Sequence, residues 1–216
     1  MLRQLGKDEY MQYLDSAYEL TLDMSRSCYP TYADGLKTRE DFDAHAARPF
    51  QRDDYTMLLY EEDGEALGLI QFYVWDDDRY VQPDIFCIKR DYGRAVREFV
   101  EYLHMRFPGY ELHFGVSRTN TGAVEALESL DFEREEVSLG GVLRFVDGSM
   151  EIFGADFEND RFNAEDFRTL MVRALNQSKK DGMKDMTFFH ENETHPAVES
   201  VGIRTIDTYY GHKLTL

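Results

Sequence analysis

Cysteine is scarce in this chain: Cys28 and Cys87 are the only two among 216 residues. Two thiols so far apart build neither a disulfide framework nor a metal knuckle, and both read as reduced, in a cytoplasmic setting. Positive charge is also short. Twenty-four Lys and Arg face 42 Asp and Glu, a net charge of −18, which disfavours a sequence-independent nucleic-acid binder and an anionic membrane surface. No apolar run reaches the length of a membrane span. Met1–Glu9 has neither the apolar stretch nor the cleavage pattern of a signal peptide. Only five prolines and no low-complexity tract argue against disorder. What the chain does have is 43% hydrophobic and 14% aromatic residues, enough for the core of one large domain, or of one domain and part of another. The acidic excess suits a solvated surface first, and a cationic or neutral partner second.

Periodicity divides the chain into elements. Met1–Leu5 reads as a short strand. Tyr10, Met11, Leu14, Tyr18 and Leu22 fall at helical spacing within 8–22. Residues 28–36, with Pro30 and Gly35, read as a loop. Thr38-Arg39-Glu40-Asp41 is a capped helix start, and that helix stops before Pro49. Residues 55–60, 66–75 and 80–88 are three strands of an antiparallel meander, joined by the Asp63-Gly64 turn and the Asp76-Asp77-Asp78 turn. The three aspartates read as a solvated hairpin tip.

After Ile88 strands and helices alternate: helix 93–107, strand 110–116, helix 121–130 and strand 132–145, or a pair of strands there. This order implies a parallel pair. A short strand at 150–154 precedes helix 163–180, which opens on a capping Asn163 and ends at Asp181-Gly182. Strand 184–190, helix 194–201 and strand 203–214 follow. Helix–strand–helix–strand thus occurs twice, about 70 residues apart, which suggests an internal half-repeat. The expected division is 1–145 and 146–216, with no linker between the parts.

One segment has the composition of an anion site. Arg90-Asp91-Tyr92-Gly93-Arg94-Ala95 joins a strand to a helix. Small residues there let backbone N–H groups and the positive helix end converge on a phosphate, and Arg90 and Arg94 add charge. Some 25 residues on comes Asn120-Thr121-Gly122-Ala123, with Leu127, Asp131 and Phe132 in register behind it.

The element order and these two motifs resemble the GNAT superfamily of N-acetyltransferases. Arg90-x-x-Gly93-x-Ala95 is similar to that family's pyrophosphate loop, and Asn120 with Ala123 and Phe132 to its second motif. The resemblance covers residues 1–145 and, weakly, the remainder. It implies an α/β (α+β) fold with a mixed, mostly antiparallel twisted sheet flanked by helices, and a C-terminal partial repeat. It also implies acetyl-CoA as co-substrate, entering where two central strands splay apart. Cys87 and Ile88 would then hold the pantetheine and thioester by backbone groups, Arg90, Gly93, Arg94 and Ala95 the pyrophosphate, and Asn120 would lie near the pantetheine arm. Pro83 suits a bulge or strand end beside that splay. The implied reaction is acetyl transfer to a primary amine, on a small molecule or a peptide, with cationic amines favoured by the acidic surface. The alternative is a non-catalytic binding or regulatory module of the same fold. Leu127 stands where the family often has a proton-donating Tyr, and the loop carries one Gly where the family often has several. Both departures suit the alternative. A loop filled by its own side chains would favour it too; an open anion nest would favour the enzyme.

For the base that an attacking amine needs, Asp84 on the central strand is the first candidate. Glu61 and Glu62 read better as turn acids. His190-Glu191-Asn192-Glu193-Thr194-His195 has its second His one residue too far for a zinc-protease motif, so no metal is expected. Phe72, Tyr73, Trp75, Phe188, Phe189, Tyr209 and Tyr210 read as packing residues, with Tyr209 or Tyr210 as a proton donor if the two halves meet. Asp156–Asp160 would repel pyrophosphate, so no second cofactor site is expected. The sequence leaves a homodimer open.

Overall fold

The computed structural model describes residues 1–28, 38–144, 148–152, 162–190 and 194–216. It forms two compact units, Met1–Glu136 with Tyr210–Leu216, and Val137–Tyr209. The first unit ends at Glu136 and takes in the last seven residues, whereas the sequence reading sets a division at 145. The Asp147-Gly148 junction, Asp156–Asp160 and most of the 28–36 loop lie at least partly outside the described residues.

The first unit is built on a mostly antiparallel sheet. Strand β1 (Leu2–Gln4) pairs with β3 (Tyr55–Glu62), β3 with β4 (Glu65–Trp75) and β4 with β5 (Tyr80–Ile88), all antiparallel. A two-residue strand β2 (Ser27–Cys28) lies next to β5, followed by β6 (Glu111–Ser117). The chain end, from β10 (Arg204–Thr215), lies beyond β6. Helices α3 (Tyr92–His104) and α4 (Thr121–Glu128) cover one face. Their apolar positions and those of the strands enclose Ile70, Phe72, Phe86, Phe99, Phe114 and Leu127, all at most 1% exposed. Phe99 packs edge-on to Phe72, Phe86 and Phe114, with ring centroids 5.5–5.9 Å apart. Such edge-to-face geometry suits the ring quadrupoles.

The other face is covered by a 3-10 turn (Tyr10–Tyr13), α1 (Leu14–Thr21) and α2 (Arg39–Ala46), over Met57, Leu59, Leu69, Ile85 and Cys87. The single helix expected over 8–22 is thus a 3-10 turn leading into a shorter α-helix. The start of α2 is the capping box read from the sequence: Thr38 Oγ1 accepts from Asp41 N (3.1 Å), and Asp41 accepts in return from Thr38 N (3.1 Å).

In the second unit, the later part of β7 (Glu133–Arg144) pairs antiparallel with β9 (Lys184–His190), and β8 (Gly148–Ile152) pairs parallel with β9. Helix α5 (Ala164–Lys180) makes the crossover from β8 to β9, capped by Asn163 Oδ1 on the Glu165 and Asp166 amides. Phe167, Met171, Phe188 and Ile203 form a separate core with Ala197 and Val198 of α6 (His195–Ser200).

Two predictions follow from this packing. Phe99→Ala removes the ring shared by three aromatic contacts and should cost about 3–5 kcal/mol, measured by urea denaturation. His212, 1% exposed, is held below the ordinary histidine range by burial first and then by the Arg134 charge, against Glu128 and the Tyr210 carbonyl. Because the folded imidazole resists a proton that the unfolded one accepts near pH 6.5, its contribution is complete above that pH. That contribution is lost as pH falls through 6.5 toward the lower folded value. The melting temperature of His212→Gln should therefore fall less than wild type on acidification from about pH 7.5 to 5.5.

Candidate functional site

Strand β5 carries the site because it is irregular. Opposite it on β4, Gln71 faces Ile85 and Phe72 faces Pro83, so Asp84 is an extra residue in the ladder. Pro83 has no N–H to give to a ladder, which suits this place. A bulge re-aims the inserted side chain, and Asp84 turns toward α2.

There the Asp84 carboxylate is buried, its side chain 4% exposed. Its Oδ2 lies 2.6 Å from His45 Nε2 and accepts from Gln71 Nε2 at 3.3 Å. Arg48 stands at 3.9 Å. Carboxylate and imidazole at 2.6 Å hold one proton between them. Gln71 also donates to the His45 carbonyl (3.1 Å), fixing the last turn of α2 against the strand. Asp84 Oδ1 accepts no hydrogen bond among the described residues. A buried acceptor left open is costly in a merely structural residue. Beside it, burial and then the Asp84 charge push the Tyr55 hydroxyl above its ordinary range.

Tyr55 begins a row of rings: Tyr73 at 5.4 Å, then Trp75 at 5.0 Å, Tyr80 at 5.2 Å and His113 at 4.6 Å. Tyr73 and Tyr80 both donate to Gln82 Oε1. Phe72 is a core residue as expected, but Trp75 is 48% exposed, because no helix described covers that end of the sheet.

Strands β5 and β6 are parallel neighbours only at Tyr80–Glu111 and Val81–Leu112. Farther along they diverge, and β2 stands between them. Ser27 and Cys28 pair with Cys87 and Phe86 of β5, and Cys28 pairs with Val116 of β6. The Ile88 amide donates to the Arg26 carbonyl at 3.4 Å. Asn120, fully buried, caps α4 with Oδ1 on the Ala123 amide (3.1 Å) and donates from Nδ2 to the Ser27 carbonyl (3.0 Å). Ser27 Oγ lies 3.9 Å from Cys87 Sγ. Cys87, Ile88 and Asn120 therefore all lie against residues 26–28, which stand between β5 and β6.

The segment 90–95 leads from β5 into α3: Lys89 to Asp91 join the two elements, and Tyr92 to Ala95 already form the first turn of the helix. Asp91 takes the left-handed conformation (φ 61°) and its carboxylate accepts from the Arg94 amide at 3.4 Å. That puts a fixed negative charge on the helix end. Tyr92 is buried and its hydroxyl donates to the Arg26 carbonyl. Arg90 pairs with Glu65 (2.8 Å), which Lys89 also reaches (2.8 Å), and Arg94 pairs with Glu98 (3.0 Å) and Glu62. The Arg90 and then the Lys89 hydrogen bonds hold the Glu65 carboxyl down at about 2. Ala95 belongs to the core, whereas a side chain at Gly93 would meet open space. Glu61 lies 3.8 Å from Arg3. Neither Glu61 nor Glu62 joins Asp84.

The polar groups that the resemblance assigns to a pantetheine arm are engaged by Arg26–Cys28, and the arginines it assigns to a pyrophosphate are paired with acids, so a coenzyme would fit only where these partners give way. Leu127 is fully buried core.

His45, Gln71 and β2 are the residues that reading the sequence missed. Gln71 did carry a signal, as the lone amide inside Leu69-Ile70-Gln71-Phe72, since a buried amide demands partners. In the second unit, His190 ends β9 and His195 opens α6, and their rings stack at 5.6 Å. The two residues lie on different elements and not on one helix. Among the described residues no group of three or more His, Cys, Asp or Glu is placed to hold a metal ion, and no helix is long and apolar enough to cross a membrane.

No protein-family model matches the sequence, and no curated protein matches it. Solved structures do match. A ribosomal-protein-alanine N-acetyltransferase from Brucella melitensis aligns over 100% of this chain and 99% of its own, with a TM-score of 0.52 at 12% identity. A putative acetyltransferase from Pyrococcus horikoshii aligns over 100% and 89%, with a TM-score of 0.59 at 9% identity. A ribosomal L7/L12 alpha-N-protein acetyltransferase in complex with coenzyme A aligns over 100% and 93%, at 0.52 and 8%. The chain has the fold of the GNAT N-acetyltransferases.

Asn120→Ala should cost about 1–3 kcal/mol by losing the α4 cap and leaving the Ser27 carbonyl unsatisfied. Asn120→Asp keeps the cap acceptor but loses the donor to Ser27. Differential scanning calorimetry should place it between wild type and the alanine variant.

Proposed function

We propose that this chain is an acetyl-CoA-dependent N-acetyltransferase acting on a primary amine, with Asp84 as proton acceptor and His45 as its partner. One observation carries the reading: a buried carboxylate, inserted by a bulge beside the diverging strands, with one oxygen held by His45 and Gln71 and the other open. An amine is protonated at neutral pH and must lose that proton before it attacks. The Asp84–His45 pair has the chemistry for that step. Gln71 keeps the pair in register, and Arg48 stands 3.9 Å from the same carboxylate oxygen. The thioester would come from the coenzyme, and no part of its passage is drawn through the cleft as it stands.

The acceptor is proposed to lie along the row from Tyr55 to Trp75, which offers flat, half-exposed rings next to Asp84. The acidic composition favours a cationic acceptor. Amine acceptors of this kind are named for similar structures, among them a chimera of Vibrio cholerae spermidine N-acetyltransferase. The division of the sequence at 145, with residues 146–216 as a partial repeat of the same fold, is part of this proposal. So are a soluble cytoplasmic location and the residues assigned to the cofactor: Cys87, Ile88, Arg90, Gly93, Arg94, Ala95 and Asn120.

The second reading, a non-catalytic module, is favoured by a specific observation: the Asp91 carboxylate takes the Arg94 amide, and Arg26–Cys28 take groups of β5 and Asn120 that the first reading assigns to the cofactor. Thiol release from acetyl-CoA across a panel of polyamines and peptide amines separates the two. The proposal expects turnover that Asp84→Asn lowers by about 10²–10⁴-fold without changing the circular dichroism spectrum. Absence of both turnover and calorimetric binding at millimolar acetyl-CoA would establish the module instead.

A further inference from the structure

A peptide and a pantetheine arm offer a cleft similar chemistry. Each is a narrow chain carrying amide carbonyls and amide N–H groups. Between β5 and β6 the polar groups suited to such a chain are already engaged by peptide. The Ile88 amide and the Tyr92 hydroxyl both donate to the Arg26 carbonyl, and Asn120 Nδ2 donates to the Ser27 carbonyl at 3.0 Å. These donors come from β5, from the first turn of α3 and from the residue before α4, so the cleft is lined from three sides.

We infer that Arg26–Cys28 is a displaceable occupant of the donor cleft, which closes the resting protein and must leave before a CoA thioester can enter. The inference rests on the acetyltransferase reading. Two features mark the segment as an occupant of the cleft. It separates two strands that are direct parallel neighbours at their other end. And it is tied to the phosphate loop through Tyr92, so an anion arriving at 90–95 would act on the residue that holds Arg26 in place.

The register supplies its own test. Ser27 faces Cys87 across the antiparallel pair, with Oγ and Sγ 3.9 Å apart. Directly opposed residues in such a pair lie within disulfide range. Ser27→Cys, made with Cys28→Ala to remove the adjacent thiol, should form a disulfide with Cys87 on addition of diamide. The two thiols give up two electrons and two protons, and diamide takes them up to become the hydrazine. Mass spectrometry reads the loss of two hydrogens. Calorimetric titration with acetyl-CoA then compares the oxidised and the reduced protein.

Closure by this segment predicts that the disulfide forms and that the oxidised protein binds acetyl-CoA at least about tenfold more weakly, with affinity restored by reduction. If no disulfide forms, residues 26–28 do not sit in the cleft and the inference is overturned. If the disulfide forms and binding is equal in both states, the segment does not compete with the cofactor, and the inference falls while the acetyltransferase reading stands. If the disulfide forms but neither state nor the wild type binds millimolar acetyl-CoA, the acetyltransferase reading is overturned together with the displaceability of the segment.

Discussion

Strand β5 is paired with β4 from end to end, but directly with β6 over only two residues. Between those two residues and the far end of the strand lies the bulge at Asp84. A bulge bends its strand and increases the local twist, so the edge of β5 beyond it is turned away from β6. Three consequences follow from that one bend. A cleft opens between the central strands. The backbone groups of residues 86–88 on that edge need partners from elsewhere, because buried N–H and C=O groups do not stay unpaired. And the inserted carboxylate is aimed at the face covered by α2, where His45 and Gln71 receive it. The cleft, its occupant and the candidate base are products of a single extra residue in one ladder.

Charge in this protein is arranged locally even though the total is strongly acidic. Arg90, Lys89 and Glu65 form one group, and Arg94, Glu62 and Glu98 another, both at the start of α3. These pairs are exposed, and exposed pairs add little to stability. Their consequence is for recognition: a phosphate approaching residues 90–95 meets carboxylates already seated on the guanidinium groups, and Asp91 on the helix amide. The pairs can exchange partners, since the arginine side chains are about half exposed. Asp91 cannot move as freely, because it also holds the left-handed turn into the helix. Binding of an anion at this loop would therefore be weaker than at a loop with glycine in that place.

Much of this was legible in the residues. Element order followed from apolar spacing, since the strands and helices around Phe72, Phe86 and Phe99 alternate with the periods their cores require. Thr38 and Asn163 announced their helices by capping chemistry. Pro83 marked the irregularity in β5, and Asp84 beside it was the acid on the central strand. His45 was not legible, because its meaning is a contact across 39 positions made by one of several polar residues on a helix. Strand β2 was not legible either: Ser27 and Cys28 find their place between β5 and β6 where those two strands part. The loop at 90–95 was found by its residue types, but its electrostatics depend on Glu62 and Glu65, which the chain brings in from the neighbouring hairpin.

Two sets of bonds shut the cleft. Strand β2 pairs with β5 at Ser27 and Cys28 and with β6 at Cys28. Beyond those pairs, the Ile88 amide and the Tyr92 hydroxyl donate to the Arg26 carbonyl, and Asn120 Nδ2 donates to the Ser27 carbonyl. A ligand that takes this space has to replace both sets, because buried N–H and C=O groups do not stay unpaired. Whatever net free energy the segment loses on leaving is subtracted from that of the ligand: every 1.4 kcal/mol reduces the apparent affinity about tenfold.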